Sequence, residues 1–175
     1  MYFAELFSFC PVCGSDNFTL NNEKSKRCEK CGFVMYVNAS AAVAAFITNT
    51  KGELLTCVRG KEPVKGTLDL PGGFIDGNET AEQAIIRELK EELNAETIRI
   101  KYMFSLPNEY LYSGWTIPTL DMFFEVELRD YADLKPADDV AGIQFIPIQN
   151  LNPALFGLGS IKNAIQKFKV MSDIE

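Results

Sequence analysis

Short apolar runs separated by turn-forming residues make up most of the chain after residue 38. The runs at 40–49 and 52–60 are joined by Thr-Asn-Thr-Lys-Gly. Because its Asn and Gly suit a tight turn, we expect a β-hairpin here. The segment TLDLPGGFI, residues 67–75, predicts a short strand that ends at a Pro-Gly-Gly loop. Three further β-rich segments predict the remaining strands: 97–106, 119–128 and 143–148.

Two segments have helical periodicity instead. From Thr80 to Leu93 the apolar residues recur at helical spacing, so one face of this helix can pack against a core. Asn94 suits the left-handed conformation that ends many helices. A second helix is predicted near Ser160 to Val170. Strands around one central helix, with another helix at the end, predict an α/β (α+β) sandwich.

The first helix carries an unusual concentration of acid. Because a helix turns about 100° per residue, Glu88, Glu91 and Glu92 share one face, where three carboxylates repel one another at neutral pH. A solvated acidic face is one interpretation. The other is that a positive ligand belongs there, since the adjoining apolar arc anchors this helix against a core.

Composition narrows the possible partners. The chain has 175 residues, 47% of them hydrophobic, which suits one medium domain plus a small appendage. Its net charge is -7 and it contains no histidine. This balance argues against non-specific binding to nucleic acid phosphates or anionic membranes. We therefore expect a small-molecule partner and no nucleic acid.

The sequence also indicates a compartment. No segment approaches the ~20 apolar residues of a membrane span. The first residues, MYFAELFSF, lack the basic start and small-residue cleavage site of a signal peptide. We expect a cytoplasmic protein.

Four of the five cysteines form two matched pairs, Cys10 with Cys13 in CPVCG and Cys28 with Cys31 in CEKCG. Each pair can bind one cation through two thiolates, and the trailing glycine permits a tight turn. Four sulfurs would close a tetrahedron around zinc and leave no open position, which predicts a structural site. Two disulfides or a redox pair are the alternatives. The fifth, Cys57, lies in a strand-like run and is expected in the core.

We expect residues 1–37 to form a zinc ribbon that depends on its metal for folding, and residues 38–175 to form the main domain. The basic residues of the ribbon are offset by nearby acids and by four thiolates. The ribbon therefore has no basic patch for nucleic acid.

Residues 73–95 resemble the Nudix box, G-x5-E-x7-R-E-U-x-E-E-x-G-U with U aliphatic. Gly73, Glu79, Arg87-Glu88-Leu89 and Glu91-Glu92 match at the right spacing. Asn94 and Ala95 depart from the final Gly-aliphatic pair. Asn is the residue besides glycine that best tolerates positive φ, so the first departure is conservative.

The resemblance implies a Nudix-type α/β/α sandwich and a metal-dependent hydrolase. In that family the box glutamates bind Mg2+ or Mn2+, hard cations that prefer oxygen ligands. It implies that Glu88, Glu91 and Glu92 are metal ligands here and that Gly73 contributes its carbonyl. The bound cations would neutralise charge on a diphosphate, and this supplies the missing positive ligand.

Three further residues receive roles from the same resemblance. Glu79 and Arg87 are expected to pair and hold the loop on the helix. Asp139 resembles a later acidic residue that serves as the base in some relatives, while other relatives use a box glutamate. A solvated loop acid is the alternative for Asp139.

A second resemblance concerns substrate. NADH pyrophosphatases combine a four-cysteine zinc ribbon with a Nudix domain and carry S-Q-P-W-P-F-P-x-S after the box. In SLPNEYLYS, residues 105–113, Ser105, Pro107 and Ser113 match and Tyr110 is aromatic. The departures are Leu106, Asn108, Glu109 and Leu111. Tyr110 and Trp115 are expected to stack on a base. Packing within a hairpin is the alternative for Tyr110.

Cleavage of a pyrophosphate bond in a dinucleotide such as NADH or NAD is therefore the expected function. ADP-ribose or a nucleotide sugar is the alternative substrate, because half of the dinucleotide signature is lost. A non-catalytic nucleotide sensor is the other class considered, although degenerate domains usually lose a box carboxylate. Analogy with relatives also predicts a homodimer.

Overall fold

The computed structural model describes residues 6–172 and divides the chain into two compact units. Residues 1–5 and 173–175, at the ends of the two predicted domains, lie outside the described residues. One unit comprises the chain up to Ala39 together with Glu109–Pro118. The other comprises Ser40–Asn108 and the chain from Thr119 onward. The division at residue 37 into two independent domains stays a prediction.

The first unit is built on a small antiparallel sheet. Its strands are β1 (Phe18–Asn22), β2 (Ser25–Cys28) and β3 (Val34–Tyr36), in that spatial order. Among the described residues of this unit, the buried apolar ones are few: Cys10, Phe18 and Cys28, with three partly buried apolar side chains packed on them. So small a core needs an additional source of stability.

The second unit contains two sheets and two helices. Its elements follow one another as β4 (Ser40–Phe46), β5 (Glu53–Arg59), β6 (Leu68–Asp69), β7 (Gly72–Phe74), α1 (Ala81–Leu93), β8 (Thr97–Tyr112), β9 (Trp115–Leu128), β10 (Val140–Pro147), two 3-10 turns (Ile148–Asn150 and Pro153–Leu155) and α2 (Gly159–Ser172). The outer ends of β8 and β9 belong to the first unit. One sheet has the order β7-β4-β9-β8 and the other β10-β5-β6.

The four-stranded sheet lies between the two helices. Successive side chains of β4 point to opposite faces, as in any strand. Val43 and Ala45 pack in one core with the apolar residues of α1, whereas Ala44 and Phe46 pack in a second core with those of α2. The central pair, β4 and β9, is parallel. The expected α/β/α sandwich is confirmed.

The predicted hairpin is only partly correct. The chain does turn between residues 49 and 52, and Leu55 N–H donates to the Ile47 carbonyl at 2.8 Å. The two strands then separate into different sheets: β4 pairs with β7 and β9, and β5 pairs with β6 and β10. An apolar run that is buried on both faces contains no information about which neighbour it selects. Among the described residues, no helix is long and apolar enough to span a membrane.

Candidate active site

The acidic helix α1 begins at a capping box. Thr80 accepts from the Gln83 N–H at 3.2 Å, and the Gln83 side chain accepts from the Thr80 N–H at 2.9 Å. This satisfies two donors at the start of the helix and fixes where it begins. About two turns further on, the acidic face begins at Glu88.

The three glutamates of that face differ in exposure. The Glu91 side chain is 53% exposed, the Glu88 side chain 14%, and Glu92 as a residue only 6%. Burial raises the pKa of Glu88, and it raises the pKa of Glu92 to about 8. The face therefore runs from solvent into the interior, where a charged carboxylate is costly without a cation.

Arg87 organises the outer part of this face. Its Nε and Nη2 donate to the two oxygens of Glu79 at 2.7 and 2.9 Å. Nη2 also donates to the Phe74 carbonyl at 3.0 Å. Nη1 donates to Glu88 at 2.8 Å and to Glu91 at 3.0 Å. A fork of this kind holds the loop onto the helix, and it lowers the pKa of Glu79 through its hydrogen bonds.

Two glycines in the loop before the helix allow close approaches, one to the backbone of β4 and one to the Glu88 carboxylate. A Cβ on Gly73 would lie 2.5 Å from a Glu88 carboxylate oxygen, and a Cβ on Gly72 would lie 2.1 Å from the Val43 carbonyl oxygen. Gly72 also has φ of 144° and donates its N–H to Glu92 at 2.9 Å. The two glycines therefore seat Glu88 and Glu92 against backbone.

Burial has the largest effect on the pKa of Glu92. Two carboxylates from outside the box, those of Asp69 and Asp139, lie close enough to raise it further. Asp69 is buried in β6, and Arg59 Nη1 donates to it at 2.5 Å. Sequence reasoning did not select Asp69 or Arg59. The sequence did offer one signal: Asp69 is an acidic residue directly before the Leu-Pro-Gly-Gly loop.

The loop that carries Asp139 is tied to the end of α1. Ala137 N–H donates to the Glu92 carbonyl at 2.8 Å, and Lys135 N–H donates to the Leu93 carbonyl at 2.9 Å. These bonds satisfy carbonyls that the end of the helix leaves without partners. Asp139 thereby lies beside the box helix, with its side chain half exposed and paired with Lys61.

A second buried polar cluster lies between β9 and α2. Asp121 is 7% exposed and accepts hydrogen bonds from the Thr119 hydroxyl at 2.7 Å and the Ser160 hydroxyl at 2.5 Å. Because Ser160 lies in the first turn of α2, the carboxylate stabilises the positive end of that helix. The sequence placed Ser160 at the start of the second helix but did not indicate its partner, Asp121.

The donor set around α1 fits a divalent cation. Glu88, Glu91 and Glu92 offer oxygen atoms, and Mg2+ and Mn2+ prefer such ligands. Burial is the main cause of the raised pKa of Glu92, and the nearby carboxylates Glu88, Asp69 and Asp139 raise it further. A bound cation would favour the charged form of this carboxylate. The roles of the glutamates and of Gly73 as ligands remain predictions.

The four paired cysteines come together in the first unit. Their sulfur atoms all lie within 4.8 Å of one another, with Cys10 and Cys31 sulfurs 3.7 Å apart and Cys13 and Cys28 sulfurs 3.6 Å apart. Tetrahedral zinc with bonds of about 2.3 Å places sulfurs about 3.8 Å apart. All four cysteines are free thiols, which excludes the disulfide alternative in this structure. Cys57 is buried in the core as expected.

The glycines after each cysteine pair behave as predicted. Gly14 and Gly32 have φ of 69° and 76°. Their N–H groups donate to the carbonyls of Cys10 and Cys28, both at 2.9 Å. Each pair therefore forms a tight knuckle that turns two sulfurs to one side.

The predicted substrate residues fall in both units. Ser105 lies on β8 in the second unit, whereas Tyr110, Ser113 and Trp115 lie in the first. Tyr110 and Trp115 flank a hairpin turn in which Ser113 has φ of 51°. Trp115 is 43% exposed. Their binding to a base remains a prediction.

Comparison with known proteins identifies the family. The family model of the NUDIX domain matches residues 39–167. The chain belongs to the NUDIX domain family. The match covers all strands of the second unit, the whole of α1 and residues 159–167 of α2, and it confirms the resemblance to the Nudix family.

Curated relatives are similar over much of this chain. One is the NAD-capped RNA hydrolase NudC of Pseudomonas aeruginosa, 25% identical over 146 residues, which are 83% of this chain and 49% of the relative. Another is the protein of the same name from Vibrio vulnificus, 27% identical over 167 residues, 94% of this chain and 59% of the relative. This Nudix chain thus spans about half the length of the curated relatives it matches.

Solved structures agree in fold. A NUDIX hydrolase from Nitrosomonas europaea is similar with a TM-score of 0.71 and 24% identity, over 94% of this chain and 91% of that one. The NUDIX domain of Shewanella oneidensis NrtR, solved with ADP ribose, is similar with a TM-score of 0.61 and 18% identity, over 80% and 91%. At these identities the likeness establishes the fold alone.

Proposed function

We propose that this Nudix protein is a metal-dependent hydrolase that cleaves the pyrophosphate bond of a nucleoside diphosphate derivative. One observation carries the proposal: Glu88, Glu91 and Glu92 share one face of α1, and Glu92 is buried there with its carboxylate accepting from the Gly72 N–H. A non-catalytic sensor needs no such charge. Maintaining three carboxylates on one helix face costs stability unless a cation binds there.

Some residues of the site would bind metal, and others position the loop and the helix. Glu88, Glu91 and Glu92 would hold Mg2+ or Mn2+, which would neutralise charge on the diphosphate. Arg87 and Glu79 keep the loop and helix in register, and Gly73 allows Glu88 to reach the loop backbone. Asp139 lies beside Glu92 and is our candidate for accepting a proton from water. Hydrolysis adds that water to one phosphorus and breaks one bond of the phosphate bridge.

The substrate we propose is a dinucleotide such as NADH or NAD. The matches at Ser105, Pro107 and Ser113 support it, and so do two curated relatives whose name specifies an NAD cap. Because that name also specifies RNA, NAD-capped RNA belongs among the compounds tested, although the net charge of -7 favours the free dinucleotide.

We also propose one structural zinc ion per chain, held by Cys10, Cys13, Cys28 and Cys31. The clustering of four free thiols on two knuckles supports this site. Four protein ligands leave no position for a substrate, so the ion would stabilise the ribbon and take no part in hydrolysis.

The test is a substrate screen with Mg2+ and with Mn2+. It includes NADH, NAD, ADP-ribose, UDP-glucose, a diadenosine polyphosphate, an oxidised nucleoside triphosphate and NAD-capped RNA. We expect NADH to yield two mononucleotides. Efficient cleavage of ADP-ribose or the nucleotide sugar with negligible turnover of NADH would decide for the alternative substrate.

Glu92→Gln tests the catalytic role within the same screen. It removes a negative ligand without changing shape, so turnover should fall by about two orders of magnitude or more. Glu82→Gln, an exposed change in the first turn of the same helix, is the matched control and should be near normal. Near-normal turnover in Glu92→Gln would overturn the proposed function.

Tyr110→Ala tests base stacking separately. A stacking platform binds ground state and transition state alike, so its loss should raise KM for NADH about tenfold with little change in kcat. An unchanged KM would remove the stacking role.

A further inference from the structure

Asp69 and Asp139, the two carboxylates near Glu92 that lie outside the box, each pair with a basic side chain from the segment Arg59-Gly60-Lys61. Arg59 pairs with Asp69, and Lys61 pairs with Asp139. The two pairs differ in how exposed their side chains are. The side chains of Arg59 and Asp69 are 14% and 10% exposed, whereas those of Lys61 and Asp139 are 59% and 50% exposed. The first pair is fixed in the interior, while the second lies at the rim of the site.

Backbone contacts fix the rim pair in place. Gly60 N–H donates to the Asp139 carbonyl at 2.6 Å, and a Cβ on Gly60 would lie 2.9 Å from that oxygen. The next residue, Val140, pairs with Arg59 in the sheet. The two segments are therefore held together before any side chain interacts. Lys61 is brought to Asp139 by the fold.

The lysine contacts a second acid as well. Lys61 Nζ lies 2.8 Å from Asp138 Oδ1, and Asp138 has a left-handed φ of 49°. Asp is one of the few residues that tolerate this conformation. It brings two consecutive carboxylates to one ammonium group, and the hydrogen bond from Lys61 lowers the pKa of Asp138.

We propose that Lys61 is a positioning residue for Asp139: its ammonium group holds that carboxylate beside the box helix and balances its charge. The inference rests on the proposed function. An exposed ion pair contributes little to stability, so stability alone gives no reason for this arrangement. The location gives one, because the loop bearing Asp139 is bonded to the Glu92 carbonyl.

The first test measures metal binding and needs no turnover. Lys61→Met removes a positive charge next to the cation site, so Mn2+ binding followed by electron paramagnetic resonance should tighten about fivefold at low salt. Lys61→Arg keeps the charge and should match the wild type. Lys65→Met, in the same loop, is the control and should have no effect. Unchanged Mn2+ affinity in Lys61→Met would overturn the inference.

The second test separates positioning from substrate binding. In Lys61→Met we expect kcat for NADH to fall about tenfold, while KM stays within about twofold of the wild-type value. Lys61→Arg keeps the charge, so it should retain most of the wild-type kcat. A raised KM at constant kcat would mean that Lys61 contacts substrate phosphate and would overturn the positioning role.

A double mutant completes the design. If Lys61 acts through Asp139, Lys61→Met should add no further loss of kcat to Asp139→Asn. Multiplicative losses would contradict the inference. If the wild type hydrolyses none of the compounds, the proposed function fails, and the Mn2+ measurement alone decides whether Lys61 belongs to the metal site.

Discussion

At the scale of single residues, the site depends on how closely carboxylates approach backbone. Glu88 lies against Gly73, and Glu92 accepts from the Gly72 N–H. A side chain at Gly73 would collide with the Glu88 carboxylate, whereas one at Gly72 would collide with the Val43 carbonyl of β4. Gly73 therefore leaves space for an acid, and Gly72 lets the loop pass close to the sheet.

Gly73→Ala tests whether Glu88 needs the space that Gly73 leaves, because it adds a single carbon atom. The added Cβ would lie 2.5 Å from a Glu88 oxygen, so the carboxylate must move. We expect kcat to fall by about tenfold to a hundredfold, because small misplacements of catalytic groups have large effects. Gly77→Ala is the matched control, since nothing lies within 4 Å of its Cβ. Equal activity in the two variants would contradict the prediction.

The pH dependence of stability tests the environment of Glu92. Burial raises its folded pKa to about 8, against about 4.3 in an unfolded chain. Between these values the folded state holds a proton that the unfolded state has released. The free energy of unfolding therefore decreases as pH rises through this window, by at most about 1.4 kcal/mol per pH unit.

Urea denaturation from pH 5 to pH 8, with protein free of Mg2+ and Mn2+, measures this slope. Glu92→Gln should lack the Glu92 contribution and have a flatter profile. Mn2+ affinity of the wild type should rise over the same range, because the proton must leave first. Parallel stability profiles for the two proteins would contradict the assigned pKa.

The positions of some of these residues could be predicted from the sequence, and the contacts of others could not. Glu88, Glu91 and Glu92 were found because helix geometry alone brings them together. The partners of Asp121 and Lys61 were not found, because Ser160 is 39 residues from Asp121 and Asp138 is 77 residues from Lys61. Contacts of that separation depend on the sheet topology, which local patterns do not contain.

At the scale of elements, helix α1 is defined by its two ends. Thr80 begins it, and Asn94 ends it in the left-handed region with φ of 54°. Asn94 N–H donates to the Leu89 and Lys90 carbonyls, and its side chain accepts from Lys90 Nζ at 2.7 Å. Because Glu92 is two residues from this end, the cap also fixes where the buried carboxylate lies.

Asn94→Ala and Asn94→Gly form a matched pair that tests the cap. Alanine should lower the free energy of unfolding by about 1 kcal/mol, since a residue with a Cβ and no local hydrogen bond is strained at positive φ. Glycine should stay within about 0.5 kcal/mol of wild type, because it has no such strain but loses the side-chain bond. Urea denaturation measures both. Equal stability of the two variants would exclude a conformational role for Asn94.

Element positions were easier to predict than element partners. The helix at residues 80–93 and the strands at 119–128 and 143–148 correspond to α1, β9 and β10. The hairpin was the error, since β4 and β5 enter different sheets. β9 is also longer than predicted: it begins at Trp115 and includes Pro118, although proline is uncommon inside strands.

At the scale of the whole molecule, the two units have different sources of stability. The second unit buries two large apolar cores around its sheet. The first has a core of three buried residues, two of which are cysteines of the proposed zinc site. Metal binding and folding should therefore be coupled in the first unit and independent in the second.

Metal analysis and Cys28→Ser test that division. The wild type should contain about one zinc per chain. Cys28→Ser should lose it and unfold the first unit, seen as loss of amide protection in residues 18–36 by hydrogen exchange. Protection in α1 should persist, and part of the hydrolytic activity with it, because the box residues belong to the second unit.

Cys57→Ala is the control for that experiment, because it removes the one cysteine outside the cluster. It should retain one zinc per chain, since Cys57 lies in the core of the second unit. A wild type without zinc, or a disulfide detected by mass, would overturn the zinc site. Loss of protection in α1 together with the ribbon in Cys28→Ser would show that the two units fold as one.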